Sequence, residues 1–521
     1  MIKRYWSDAL YLLLATGILV WVAWDAFRFR LITYSPGADY WEHTAVLHAL
    51  LEDPFHPQHP LIVTTAGSPR FGPHFVLIAL FARALGLDAL GAMSLASVVD
   101  TWLILSGIWW FFRLYFRDRR ASLYGLVVFF GSWLEAPHFS NVFKLKVFFS
   151  VAGYPSSAAM GLTFVGLALG VRLLRDPRVR PVGLGAFALL WAYVYVTHPL
   201  TATMGLPAAV LLAATEPGVP RARRLRVAGA VLGGLCLTVL WPYYPALGMV
   251  MGGTVHRMSG LEPEELGALH PFYALDALAD IFGFCLPSFA MLPYLWVRRQ
   301  QVFVVLGALL MLAVFLVSAL LPIPLGHRYV LLSVFFLQIA LVKLLLNLTP
   351  PAGSARLLTR VLGGATVALL LLYLVGSNVW TSREHFRRTA ESARGRESVT
   401  VRYARKVGER AGPHAVILST TLASWPLPTF GPKVVSPHHK NPLIPDAEER
   451  RAAASRFFAP FTPDAERRQI LARYHVTHVV APPRTAQPVQ RFLDGLAEGE
   501  RLAGGFTLYS LERPRAVRPV P

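Results

Sequence analysis

Long apolar stretches recur along the first 380 residues or so of the chain, and short polar segments separate them. A membrane-spanning helix needs about 20 mostly apolar residues. Several of the stretches are shorter, which is typical of tilted or re-entrant helices. The pattern predicts about eleven spans, near residues 9–27, 88–114, 121–135, 155–174, 182–197, 200–215, 227–249, 275–296, 302–321, 328–347 and 361–378.

Arginine clusters between the apolar stretches decide the predicted orientation, because positive charge collects on the cytoplasmic side of a membrane. If residues 71–87 form an amphipathic helix on the outer surface rather than a span, every cluster falls on the same side as Lys3 and Arg4. The clusters are Arg117, Arg119 and Arg120; Arg175, Arg178 and Arg180; Arg221, Arg223, Arg224 and Arg226; Arg298 and Arg299; and Arg356 with Arg360. We therefore expect a cytoplasmic N-terminus and a long first outer loop over residues 28–87.

The tail after residue 378 is polar and changes its periodicity. Helical patterns over 397–409, 447–458, 464–474 and 489–497 alternate with strand patterns over 415–419, 476–481 and 506–511. The predicted fold class is therefore a polytopic α-helical membrane protein with a small extracytoplasmic α/β domain. The transmembrane domain covers residues 1–378, and the α/β domain covers residues 379–521.

The amino-acid composition supports membrane insertion and argues against a nucleic-acid partner. The chain is 54% hydrophobic and only 15% charged, whereas soluble domains carry about 25% charged residues. The net charge of +20 resides largely in the arginine clusters that the topology requires. No zinc-finger, RRM or KH pattern accompanies that charge, so we expect no nucleic-acid partner.

Candidate chemistry begins directly after the first span, where Asp39, Glu42 and His43 are spaced i, i+3 and i+4. In a helix these side chains would share one face. Two acids and an imidazole there could hold a metal or supply a general base. The competing interpretation is a solvated interfacial turn, in which Tyr40 and Trp41 anchor the loop to the membrane.

Further polar residues collect on the predicted outer side, which also contains all 16 histidines. One interpretation is that arginine-filled cytoplasmic loops leave histidine few other places, and the other is a polar cavity at the outer membrane face. Arg328 opens a span, where its charge needs either an anionic partner such as a lipid phosphate or escape to the interface. Asp100 lies in mid-span, where we expect a helix–helix hydrogen bond. The candidate substrate-binding residues are Glu42, His43, His74, Lys144, Lys146, Tyr154, His198, Arg257, His327 and Arg328.

This layout resembles the GT-C superfamily of membrane glycosyltransferases, which use polyprenyl-phosphate sugars and include protein mannosyltransferases and aminoarabinose transferases. The resemblance lies in the acidic first outer loop, the segment Phe71-Gly72-Pro73-His74 before a juxtamembrane helix, and the helix-to-strand step over residues 472–480. Asp39 matches the family's catalytic base. Two features depart from the family pattern: the acids are three residues apart rather than adjacent, and the Trp-Trp-Asp run of oligosaccharyltransferases is absent.

The resemblance implies an inverting glycosyltransferase of the cell membrane. Its donor would be a polyprenyl-phosphate or polyprenyl-diphosphate sugar, and its acceptor an envelope glycan, lipid or protein. Asp39 would act as the base, and Arg328, Lys144, Lys146 or Arg257 would stabilise the departing phosphate. The family contains metal-dependent and metal-free members, so a divalent cation at Asp39, Glu42 and His43 stays open. The alternatives are a transporter or flippase for a lipid-linked solute, and a non-catalytic membrane assembly protein.

Overall fold

The computed structural model describes residues 2–28, 38–134, 140–178, 180–251, 274–321, 323, 325–350, 357–392, 397–439, 443–444 and 446–511. The chain packs as two compact units. The helical unit contains residues 1–26, 72–74 and 96–388. The mixed unit contains residues 27–71, 75–95 and 389–521, so most of the first loop groups with the tail.

Helices account for most of the described chain. They are α1 (Ile2–Arg28), α2 (Tyr40–Glu52), α3 (Pro73–Ala84), α4 (Ala89–Phe116), α5 (Arg120–Gly131), α6 (Leu145–Val151), α7 (Pro155–Arg175), α8 (Pro181–Thr197), α9 (Pro199–Thr215), α10 (Arg221–Leu237), α11 (Ala246–Met251), α12 (Leu275–Phe282), α13 (Ser288–Val297), α14 (Val302–Ser318), α15 (Tyr329–Leu348), α16 (Leu357–Ser392), α17 (Val399–Ala411), α18 (Thr421–Ser424), α19 (Ala447–Phe458), α20 (Asp464–Arg473) and α21 (Gln487–Asp494).

Each of the eleven predicted stretches contains a helix, but they differ in length. Among the described residues, five helices are long and apolar enough to cross a membrane: α1, α4, α7, α15 with the turn before it, and α16. The pair α12 and α13 would make a sixth span, bent by 62° where Pro287 interrupts it. Helices α3, α5, α8, α9 and α14 are apolar but have only 10–17 residues. The predicted count of eleven full spans is therefore not established.

Three of the predicted arginine clusters come together within the helical unit. Arg119, just before α5, lies 3.4 Å from the carboxylate of Asp8 in α1. Arg175 at the end of α7 donates to the carbonyl of Leu114 near the end of α4 (2.5 Å). Arg223 of α10 donates to a carbonyl in the last turn of α7 (3.0 Å). We call this end of the helical unit the arginine end.

Small residues allow two long helices of the helical unit to pack closely. A Cβ atom on Gly107 of α4 would lie 2.7 Å from the carbonyl oxygen of Gly161 in α7, and one on Gly161 would meet the backbone of α4 at the same distance. Membrane helices use glycine in this way, because backbones then gain van der Waals contact that the apolar lipid does not supply. Phe111, Phe129 and Phe164 pack around this crossing.

The tail forms the predicted α/β domain around a five-stranded sheet. Its strands are β1 (Val416–Leu418), β2 (Lys433–Val434), β3 (His478–Ala481), β4 (Gly499–Arg501) and β5 (Thr507–Ser510), in the order β2-β1-β3-β5-β4. Strand β1 pairs in parallel with β2 and β3, whereas β3–β5 and β5–β4 are antiparallel. Phe457, Val479 and Leu493 are in the core. The structure has all four predicted helices and all three predicted strands, while β2 and β4 escaped prediction because they have two and three residues.

Helix α2 of the first loop packs into the tail. The hydroxyls of Thr44 and Thr429 are 2.7 Å apart. The indole of Trp425 donates to the carbonyl of Ala38 (2.9 Å). Trp41 is fully buried. The alternative of a solvated turn with membrane-anchoring aromatics is therefore wrong, because α2 is enclosed by protein.

Helix α3 covers Pro73–Ala84, so most of the segment 71–87, for which an amphipathic helix was predicted, is helical. Phe75 and Ile78 are buried, whereas Leu77 and Phe81 are exposed. An exposed apolar face is what a helix lying in the membrane interface needs. Its position on the outer membrane surface stays a prediction.

Candidate functional site

Four charged side chains meet in the mixed unit. The carboxylate of Glu42 lies 2.9 Å from the guanidinium of Arg70 and 3.4 Å from Nδ1 of His439. The other ring nitrogen of His439, Nε2, lies 3.5 Å from the carboxylate of Asp39. We call Asp39, Glu42, Arg70 and His439 the acid–histidine cluster. The tail therefore contributes directly to the acidic motif of the first loop.

Local structure explains how these groups are held. Asp39 is the N-cap of α2, and Glu42 is in the first turn, so the two acids are adjacent on the helix surface. Trp425 packs against His439 with ring centroids 4.7 Å apart. Its indole also donates to Ala38, one residue before Asp39. One tryptophan thus orients both the histidine and the start of the helix.

Glu42 is an ionised, immobilised acid. Its side chain is 8% exposed. Burial raises the pKa of Glu42, but the charge of Arg70 and the hydrogen bond from His439 outweigh burial and hold the pKa well below its usual range. A carboxylate bound by two cationic groups has little tendency to accept a further proton.

Asp39 is in a different environment, although it shares His439 with Glu42. Its side chain is 47% exposed. His439 is the only ion-pair partner of this carboxylate among the residues that the structure describes. Asp39 is therefore the more accessible of the two acids.

The pKa values of His438 and His439, which are adjacent in the tail, are shifted in opposite directions. Burial lowers the pKa of His439, but the hydrogen bond and charge of Glu42, with the charge of Asp39, outweigh it and raise the pKa above its ordinary value. For His438, burial and the neighbouring His439 both lower the pKa. Of the two histidines, His439 is therefore the one that its surroundings favour in the protonated form.

His43 lies within reach of the charges of the acid–histidine cluster. It is buried, and its ring packs edge-on against Phe75 of α3 at 5.4 Å. Burial and the charge of Arg70 lower its pKa to about 4, so it is neutral at physiological pH. Within the described ranges, no three His, Cys, Asp or Glu side chains are grouped so that they could hold a metal ion.

His74 forms a separate buried pair inside the helical unit. Its Nε2 lies 2.9 Å from the carboxylate of Asp100, and both side chains are almost fully buried. The hydroxyl of Tyr193 is 3.5 Å from the other ring nitrogen. Asp100 therefore makes the helix–helix contact expected from its mid-span position, and its partner is His74.

The remaining predicted residues lie in the helical unit. His198 caps α9 through Thr201, and Lys144 donates to the carbonyl of Leu134. Lys146 is exposed, Tyr154 and His327 are buried, and Arg328 is partly buried. Arg257 lies outside the described residues.

Sequence inspection missed three members of this site: Arg70, His439 and the tryptophan behind it, Trp425. Arg70 precedes the Phe-Gly-Pro-His segment, and His439 follows strand β2 in a Ser-Pro-His-His run. A local signal existed only for Arg70, which is the one Lys or Arg between residues 31 and 82. His439 is 397 residues from Glu42, a separation at which no sequence spacing predicts contact.

Among the comparisons with known proteins, the one with solved structures identifies the fold of this chain. No protein-family model matches the chain, and no curated protein sequence matches it significantly. Among solved structures, ArnT from Cupriavidus metallidurans bound to undecaprenyl phosphate aligns over 97% of this chain and 99% of its own, with 15% identity and a TM-score of 0.57. The oligosaccharyltransferase AglB from Archaeoglobus fulgidus, in complex with an inhibitory peptide and a dolichol-phosphate, aligns over 99% of this chain and 76% of its own, with 11% identity and a TM-score of 0.51.

A third similar structure belongs to a much longer protein. A variant of the mycobacterial arabinofuranosyltransferase AftD aligns over 98% of this chain but only 42% of its own, with 13% identity and a TM-score of 0.58. These identities are too low to transfer an activity, but the alignments with ArnT and AglB extend over nearly all of this chain. The chain therefore shares its fold with ArnT, AglB and AftD.

Proposed function

We propose that this chain is a GT-C-type glycosyltransferase. It moves a sugar from a polyprenyl-phosphate or polyprenyl-diphosphate donor to an extracytoplasmic glycan, lipid or protein acceptor. The observation that carries the proposal is the acid–histidine cluster, which a first-loop motif and the tail build together on a GT-C fold. The lipid phosphates bound to ArnT and AglB support a lipid-linked donor.

Asp39 is the better of the two acids for the base. Glu42 already accepts from Arg70 and His439, and its pKa is strongly lowered. Asp39 has one partner and an exposed side chain. A general base must reach the proton it removes, so accessibility favours Asp39. Glu42 then serves to hold His439, and His439 orients Asp39.

The proposed reaction is a single displacement at the anomeric carbon. The acceptor hydroxyl oxygen forms the new glycosidic bond while its proton passes to the carboxylate of Asp39. The bond between the anomeric carbon and the phosphate oxygen breaks, and its electron pair leaves with the polyprenyl phosphate. The anomeric configuration inverts, and no covalent enzyme intermediate forms.

The departing phosphate carries negative charge, which nearby cations would stabilise. Lys144, Lys146, Arg328 and Arg257 stay our candidates for this role. Lys144, Lys146 and Arg328 belong to the helical unit, and Arg257 lies outside the described residues.

Replacing Asp39 with asparagine in the purified full-length protein tests the assignment. The assay follows sugar release and transfer from a panel of short-chain polyprenyl-phosphate hexoses and pentoses. Loss of the general base is expected to reduce turnover about 100-fold or more. Asp53→Asn is the matched control, because Asp53 is in the same loop but accepts from the backbone of Phe55 and His56 and pairs with the exposed His56 ring, outside the acid–histidine cluster.

The two variants separate the possible outcomes. Asp53→Asn should retain wild-type turnover, and both variants should unfold at the wild-type temperature. Full turnover in Asp39→Asn would remove Asp39 from the chemistry. A wild-type protein that processes no donor of the panel would contradict the proposed transferase activity itself.

A further inference from the structure

A polar cavity of about 570 Å³ lies at the arginine end of the helical unit, and none of the site residues assigned above lines it. The end of α4, the start of α5, the end of α13, the start of α14 and the end of α15 surround it. Its polar lining includes Tyr115, Asp118, Arg120, Tyr294, Gln301 and Lys343. The proposed sugar transfer uses none of these side chains.

The cavity carries a net positive charge from one lysine. Arg120 is paired with Asp118 at 2.7 Å and also donates to the carbonyl of Thr349. Lys343 is partly buried at the end of α15 and forms no ion pair within the described part of the chain. The charge of Asp118 also acts on Lys343, but that carboxylate is already paired with Arg120. One positive charge is therefore in excess in the cavity, and this favours an anionic ligand.

Gln301 adds a hydrogen-bond acceptor that the protein does not use. Its side-chain oxygen is buried and has no partner among the described residues. Its backbone is left-handed, with φ 46°, and Arg299 two residues earlier has φ 50°. Such conformations cost about 1 kcal/mol or more outside glycine and persist where the surroundings impose them. The turn before α14 therefore presents this acceptor in a fixed position.

The rim of the cavity has the composition of a membrane interface. Tyr294 and Trp296 near the end of α13 are exposed. The guanidinium of Arg298 lies 5.9 Å from the Tyr294 ring centroid. Aromatic and basic side chains at the ends of apolar helices mark the lipid headgroup region. Basic pockets between membrane helices are also known to bind anionic headgroups.

We propose that this cavity binds the headgroup of an anionic phospholipid from the leaflet at the arginine end. The lipid phosphate pairs with Lys343, and a headgroup hydroxyl donates to the unused oxygen of Gln301. A glycerol headgroup has both parts. The site is separate from sugar transfer, so its failure would leave the proposed function untouched.

Lipid binding to the full-length protein in detergent tests this site, with phosphatidylglycerol as the probe and phosphatidylcholine as the uncharged comparison. Native mass spectrometry counts bound lipids over a titration. Lys343→Gln is expected to weaken phosphatidylglycerol binding about fivefold, since one basic residue near a membrane surface contributes on that scale. Lys343→Arg should bind as the wild type does.

Arg226→Gln is the matched control, because Arg226 is exposed on α10 and does not line the cavity. It should leave the affinity for phosphatidylglycerol unchanged. An equal loss in Lys343→Gln and Arg226→Gln would overturn the site in favour of diffuse attraction to positive charge. Inorganic phosphate that displaces the lipid at millimolar concentration would assign the cavity to a soluble anion instead, which also overturns the proposal.

Discussion

His439 joins the two acids of the first loop, and His439→Gln tests whether an imidazolium ion holds them. The contact with Glu42 is 3.4 Å long, and Glu42 is 8% exposed, so a charge-assisted hydrogen bond there contributes about 1.5–3 kcal/mol. The contact with Asp39 is 3.5 Å long and involves a carboxylate that is 47% exposed, so solvent screening reduces it to below about 1 kcal/mol. After the cost of burying the ring, we expect the variant to lose about 2 kcal/mol of unfolding free energy.

The loss should depend on pH in a definite direction. Although burial opposes it, Glu42 and Asp39 raise the pKa of His439 above its ordinary value of 6.5. A group with a raised folded pKa stabilises fully below its unfolded pKa, and this contribution disappears as pH rises through the folded pKa. The difference between wild type and His439→Gln should therefore be largest near pH 6 and shrink towards pH 9.

Thermal unfolding of the full-length protein in detergent, followed by intrinsic fluorescence from pH 5.5 to 9, measures this difference. His414→Gln is the control, because His414 is an exposed histidine of the same tail. A stability difference that does not change with pH would refute the imidazolium, and so would an equal pH dependence in His414→Gln.

Two further changes address buried pairs by the same unfolding measurement. Arg70→Met leaves the buried carboxylate of Glu42 with His439 alone and should lower the free energy of unfolding by about 3 kcal/mol. Arg70→Lys should recover part of this loss. A wild-type melting temperature in Arg70→Met would contradict the pairing of Arg70 with Glu42. Asp100→Leu leaves His74 buried without its carboxylate and should lower the free energy of unfolding by about 2 kcal/mol. Asp100→Asn should lose less. Equal melting temperatures for the two variants would show that the polar contact between His74 and residue 100 is not the cause of the loss.

The helices were predictable because their signals are local. Apolar stretches and the Pro and Gly residues between them locate the ends of α4, α7 and α15 within a few residues of the structure. The number of spans was less accessible, because helices of 10–17 apolar residues satisfy the composition rule without the length. Strand β2 could not be recognised, because two residues carry no period.

Only the part of the candidate site that lies in one local stretch of sequence was predictable, for the same reason. Asp39 and Glu42 are neighbours in sequence and on one helix, so their proximity follows from helix geometry. His43 is four residues after Asp39 and was assigned to the same helix face by this rule, and its buried ring also packs against Phe75. His439 reaches the cluster only through the folding of the tail, a long-range contact that periodicity does not encode.

The tail also settles which acid is available for chemistry, a distinction that spacing alone does not make. Two carboxylates three residues apart look equivalent in sequence, and each could be a base or a ligand. Arg70 and His439 remove that equivalence, because both bind Glu42 while only His439 reaches Asp39. An acid fixed by two cations is suited to hold a neighbour in place, and an acid with one partner and open access is suited to exchange a proton. The division of roles that we propose therefore follows from an asymmetry of partners, and the tail domain is part of the site because it supplies the histidine that both acids share.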